Sequence, residues 1–140
     1  MPTTSGDTAP PAPILVAAAL DAERRALESI AADLHPRAAP GLRPGDLLLG
    51  TVDGIPVALL RCGVGKVAAS SAVAAAMSLR PRSVISVGSA GALRPGHAVG
   101  DVVIGVEVVQ HDFAAAAADG FSLFGYAPAH ADQSEVLPSR

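Results

Sequence analysis

SVISVGSAGALRPGHAV, Ser83 to Val99, reads as a short strand that ends abruptly in a loop of small residues, Gly88-Ser89-Ala90-Gly91. Val84, Ile85 and Val87 are β-branched and suit a strand covered on both faces. The loop has almost no side chains, so a ligand can lie against its backbone. Ser89 is its only polar side chain, which makes a hydroxyl at a strand tip the chain's best site candidate. Gly-Ser-Ala-Gly alone is also what an ordinary turn looks like, so the surrounding segments decide.

Upstream, Ile14 to Ala19 (ILVAAA) is a short apolar run after Pro13 and predicts a central parallel strand. Asp21 follows and opens a predicted helix to about Leu34, with Leu27, Ile30, Ala31 and Leu34 on one apolar face. Asp21 and Glu23 fall in its first turn, where carboxylates suit the helix dipole. A Pro/Gly-rich loop, His35 to Gly45, leads to two apolar runs, Asp46 to Val52 and Ile55 to Arg61. Asp53-Gly54 between them is a hairpin signal, because both central residues of a type I′ turn take positive φ. Cys62-Gly63-Val64-Gly65-Lys66 then opens an Ala-rich helix to about Arg80, and the Ser83 strand follows. Downstream, Asp101 to Gln110 (DVVIGVEVVQ) is the most strand-like run of the chain. The alanine run beyond His111-Asp112 fits a helical turn or a loop. The order β-α-β-β-α-β-β implies an α/β layer with a mixed sheet.

The 140 residues are 50% hydrophobic and only 16% charged, against about 25% charged in a typical domain. That excess fits a deeply buried α/β domain, or part of a larger one whose apolar faces another segment covers. No run approaches the roughly 18 apolar residues of a membrane span. A net charge of −3, with one lysine and nine scattered arginines, leaves no basic stripe and argues against a nucleic-acid partner. The single cysteine, Cys62, excludes an intrachain disulfide and fits a reducing, cytoplasmic setting. Residues 1–12 read as a disordered leader without the charge and hydrophobic core of a signal peptide, and residues 13–140 as part of one domain.

Other motifs are weaker. Gly63-x-Gly65-x-x-Ala68 fits the dinucleotide fingerprint, yet no Asp or Glu stands between Lys66 and Asp101 to hold a ribose, and the preceding strand is the second arm of a hairpin. No Ser or Thr follows Lys66, so the Walker A pattern is absent. Val87 occupies the first glycine position of a nucleophile elbow. His111-Asp112 lacks partners at metal-ligand spacing. Neither a cofactor nor a metal is expected.

Together, ILVAAALDAE, GTVDGIPVALLRCGVGKVAAS, VISVGSAGAL, GHAVGDVVI, QHD and FGY resemble, in order, the N-terminal half of the nucleoside phosphorylase/nucleosidase superfamily. The likeness is to its methylthioadenosine/S-adenosylhomocysteine nucleosidase branch. It covers about Ile14 to Tyr126, with an insertion at Ala114 to Ser122. It implies a three-layer α/β/α sandwich around a mixed sheet, in a homodimer. By resemblance, Glu23 is the carboxylate that positions or activates the attacking water, and Ser89 the hydroxyl that helps hold that water near the ribose. Ala90 and Gly91 match residues lining the nucleoside pocket, and Phe124 an aromatic that caps the 5′ substituent of the neighbouring subunit's substrate. Asp21 and the Gly63–Lys66 turn remain structural.

The superfamily's phosphorylases carry an arginine two residues before the glycine of the Gly-Ser loop, to bind phosphate. Ser86 stands there, which favours water as nucleophile and hydrolysis of an adenine nucleoside. The family's base-protonating aspartate, ribose-gripping glutamate and adenine-stacking aromatic lie in its C-terminal half, and Asp112, Asp119, Asp132 and Glu135 do not stand in their context. The chain alone is therefore expected to be incomplete and inactive. The alternatives are a nucleoside phosphorylase and a non-catalytic nucleoside-binding or dimerisation remnant.

Overall fold

The computed structural model describes residues 11–93, 95–106, 108, 114–117 and 120–123. Contacts divide the chain into two units, Met1–Gly91 and Ala92–Arg140. The first unit contains β1 (Ile14–Ala18), α1 (Asp21–Glu28), β2 (Ala32–Pro36), β3 (Leu47–Val52), β4 (Ile55–Arg61), α2 (Lys66–Ala76) and β5 (Ser83–Val87). Its mixed sheet has the order β2-β3-β4-β1-β5. β1 lies parallel to both β4 and β5, whereas β2, β3 and β4 pair antiparallel.

Side-chain alternation along β1 and β4 divides the core between the two faces. Leu15, Ala17, Ala58 and Leu60 point to one face, where Ala72 and Ala76 of α2 pack with Leu47. Val16, Val57 and Leu59 point to the other, covered by half-buried Leu27, Ala31 and Leu34. A helix on each face gives the expected α/β/α layering. Two crossovers leave and rejoin the parallel strands: β1 to β4 by way of α1, and β4 back across β1 to β5 by way of α2. Ligand crevices in open α/β sheets form at the carboxyl ends of strands where such connections diverge. The Asp53-Gly54 hairpin forms as expected, with φ of 49° and 76° and Val52 opposite Ile55.

Three expectations need correction. The helix opened by Asp21 stops at Glu28, and Ala32–Pro36 is a strand paired with β3. Proline disfavours helical backbone in the residue before it, so His35 is extended. Gly50 leaves room for β2, since a Cβ there would lie 2.6 Å from the Ala32 carbonyl and 2.8 Å from Leu34 Cδ2. The second correction concerns β5, which is the edge strand of the sheet among the described residues and is not covered: Val84 and Ile85 are 47% and 45% exposed.

The third correction lies in the second unit, where residues 101–106 form no strand and Val102, Val103, Ile104 and Val106 are exposed. A strand needs a neighbour for its backbone groups, and no described residue pairs with this run. The alanine run, read as helical turn or loop, forms a β-hairpin instead: β6 (Ala114–Ala117) pairs antiparallel with β7 (Gly120–Leu123), Ala117 opposite Gly120. No helix among the described residues is long and apolar enough to cross a membrane.

Candidate functional site

Ala18 at the end of β1 lies opposite Val87 at the end of β5, so the segments Ala19-Leu20 and Gly88-Ser89 leave the sheet side by side. The first runs directly into α1. There the Glu23 carboxylate turns back and Oε2 accepts the backbone N–H of Leu20 at 3.0 Å, the return half of a capping box. Its Oε1 reaches across to the neighbouring loop, accepting the Ser89 backbone N–H at 3.0 Å and the Ser89 hydroxyl at 3.3 Å. Residues 66 positions apart thus form one carboxylate–hydroxyl pair at the sheet's carboxyl edge.

Gly88 makes this approach possible, because a Cβ there would stand 3.0 Å from Glu23 Oε1. The Ser89 N–H, then the Leu20 N–H, hold the Glu23 carboxyl below its ordinary value of 4.5, against a smaller opposing effect of desolvation. Glu23 is accordingly an ionised, solvent-accessible acceptor at neutral pH, with lone pairs left for a water or a ligand hydroxyl.

Ala90 and Gly91 continue the same exposed loop, and a Cβ on Gly91 would meet nothing within 4 Å. Phe124, His111 and Asp112 lie outside the described residues. Cys62 is half-buried, and its thiol donates to the Ala18 carbonyl at 3.3 Å. Among the described residues no cluster of His, Cys, Asp and Glu could hold a metal ion.

The first turn of α1 also borders a feature that the sequence did not advertise. A cleft of about 420 Å³ opens beside Leu20, between Leu42, Cys62 and Ala72, and its charged lining is Asp21, Arg43, Asp46 and Arg61. Glu23 and Ser89 do not line it. The Arg61 Nη1 donates to both oxygens of Asp21 at 3.0 Å, and its Nε to Asp46 Oδ1 at 2.7 Å. Asp46, by hydrogen bond and charge, and then Asp21 hold the guanidinium above its ordinary value. Asp46 is the one buried charged residue among those described.

The fold is a doubly crossed α/β sheet with a carboxylate and a hydroxyl converging at its parallel-strand ends, the place where open sheets of this kind carry ligand crevices. A sequence profile of the Phosphorylase superfamily matches residues 13–139, and the chain belongs to that superfamily. Over 79 residues it is 47% identical to the 5′-methylthioadenosine/S-adenosylhomocysteine nucleosidase of Anoxybacillus flavithermus, a match covering 56% of this chain and 32% of that protein. Over 95 residues it is 37% identical to the nucleosidase of the same name from a Marinomonas species, covering 67% and 40%. The chain thus spans about a third of the length of the curated relatives it matches. Its fold is similar to a Neisseria meningitidis nucleosidase of this name, solved with methylthio-immucillin-A, at a TM-score of 0.65 and 32% identity over 73% of this chain and 43% of that one. It is also similar to the Streptococcus pneumoniae MTA/SAH nucleosidase solved with 8-aminoadenine, at a TM-score of 0.57 and 30% identity over 64% and 39%.

Proposed function

We propose that this chain supplies the water-side half of an N-glycosidic hydrolase site for an adenine nucleoside of the methylthioadenosine or S-adenosylhomocysteine type. The observation behind this reading is the Glu23 carboxylate held on both the amide and the hydroxyl of Ser89. In the reaction the C1′–N9 bond breaks as adenine is protonated at N7, and the oxygen of water bonds to an oxocarbenium-like C1′. Glu23 orients that water and takes its proton, the role of the base in an inverting glycosidase. A carboxylate stabilised by two N–H donors is a weak base. It therefore accepts the proton late, when positive charge at C1′ has made the water acidic. Ser89 holds the carboxylate and the water near the ribose, while Ala90, Gly91 and Phe124 line the rest of the nucleoside pocket, with Phe124 reaching a partner subunit's site in a homodimer.

Water is preferred over phosphate because Ser86 offers no guanidinium for a dianion. Arg24 is engaged elsewhere: its Nη1 donates to the Gly45 carbonyl, and its Nε lies 3.1 Å from Glu28 Oε1, close as charges but outside hydrogen-bond alignment. A cytoplasmic role in methionine salvage, within the domain formed by residues 13–140 after a leader at residues 1–12, completes the reading. Among the described residues none is assigned the base-protonating part, and the chain alone is expected to release adenine slowly or not at all.

Fusing this chain to the remaining two thirds of the Anoxybacillus flavithermus nucleosidase tests the proposal. The chimera is expected to release adenine from 5′-methylthioadenosine without phosphate, and Glu23→Ala to lower that rate by about 10²-fold or more. Equal rates with and without the Glu23 carboxylate remove it from the mechanism, and a phosphate requirement makes the chain a phosphorylase.

A further inference from the structure

We infer that Arg61 is a positioning residue for Glu23, acting through Asp21: the guanidinium, fixed on the sheet, holds the first turn of α1 where Glu23 meets Ser89.

The need for such a hold follows from α1 itself. The helix is eight residues long and contains no buried residue. A helix that short is marginal without tertiary support, and α1 offers the core only half-buried Leu27. The Glu23–Ser89 contact, however, needs placement to a fraction of an ångström, with Gly88 directly beneath the carboxylate.

Arg61 has the properties of an anchor. It ends β4, a strand flanked by neighbours on both sides. Its backbone N–H donates to the Asp46 carbonyl at 2.8 Å, and its Nε and Nη2 both donate to the buried Asp46 carboxylate. The other Asp46 oxygen accepts the Arg43 N–H at 3.2 Å. With that side of the fork fixed, Nη1 is left to clasp both oxygens of Asp21, the first residue of α1. A planar guanidinium suits such a two-sided clamp better than an ammonium does. Asp21 and Glu23 share one rigid turn, so fixing the first fixes the second. Arg24 adds a parallel link from the same turn to Gly45, next to Asp46.

This inference rests on the nucleosidase reading only for what Glu23 does, and its test requires no turnover. Arg61→Leu would strand the buried Asp46 charge and endanger the fold, so the informative variant is Asp21→Ala, which breaks the clasp at a half-exposed position and leaves Arg61 on Asp46. In the 140-residue chain, NMR follows the titration of the Glu23 carboxyl and the hydrogen exchange of the Ser89 amide. Removing a nearby negative charge by itself lowers the midpoint of Glu23. Losing the Ser89 contact raises it. Positioning through Asp21 therefore predicts that Asp21→Ala moves the midpoint up toward 4.5 and speeds Ser89 exchange on the order of tenfold, the equivalent of one charge-assisted hydrogen bond. Asp21→Glu, which can still reach Arg61, keeps both near wild type. A midpoint that stays or falls in Asp21→Ala, or Ser89 exchange that does not change, overturns the inference whatever the chain's activity proves to be.

Discussion

The chemistry at the residue scale depends on Glu23 being ionised and attached to Ser89, and its hydrogen bonds give that state a definite pH window. Ser89 and Leu20 donate to the charged form, so the folded pKa lies below the ordinary 4.5. A group with a depressed folded pKa stabilises the native state fully above its unfolded value and loses that contribution as pH falls through the folded one. Protection of the Ser89 amide, taken relative to its intrinsic exchange rate at each pH, should therefore persist from neutral pH past 4.5 and fade only below it, while Glu23→Gln should make that protection insensitive to pH over the same range. Fading that begins well above 4.5 would mean the carboxylate is not held as described. Ser89 was legible beforehand because it is the only polar side chain in its loop, and Glu23 because a family motif surrounds it. Arg61 was not. Its partners lie 15 and 40 residues away, a separation that leaves no local pattern, and half of its network is a buried aspartate that looks like a strand-end charge in the sequence.

At the scale of elements, legibility followed the range of the forces involved. Asp53-Gly54 was readable because its two positive φ angles are decided within the turn. The stretch from Leu27 to Leu34 misled because helical spacing and a helix followed by a strand bury nearly the same residues. Leu27, Ala31 and Leu34 do pack in one cluster, while Ile30, predicted on that face, is 63% exposed. What ends the helix is the pairing of β2 with β3, and the sign of it in β3 is a glycine. Gly50→Ala should therefore drive a methyl group into the Ala32 carbonyl, which cannot swing aside as a side chain would. The expected cost is about 1–3 kcal/mol, in the range for overpacked sites, read as a lower urea midpoint with an unchanged slope. An unaltered midpoint would place β2 elsewhere than on β3.

For the whole molecule, the surplus of apolar residues over charged ones finds its expression in open surface. Register places Val84 beside Leu15 on the α2 side of the sheet and Ile85 beside Val16 on the α1 side, so β5 presents a half-exposed apolar side chain on each face, while Val87 packs against the Val16 cluster. Its outer backbone edge also has no strand partner among the described residues. The sequence could not distinguish a covered strand from this one, because the β-branched residues suit either and coverage depends on what lies alongside. An exposed edge strand bearing large apolar side chains is a template for pairing with another chain, and the residues at 102–104 add further exposed apolar surface in the second unit. The 140-residue chain should therefore associate as its concentration rises, on sedimentation from micromolar to hundreds of micromolar. Val84→Lys places a charge on the edge strand at a half-exposed position, where edge lysines oppose such pairing, and should shift that association to at least several-fold higher concentration with little loss of stability. Were Val84→Lys to associate like the wild type, contacts away from β5 would be responsible, and the open edge of this sheet would have no part in how the chains meet.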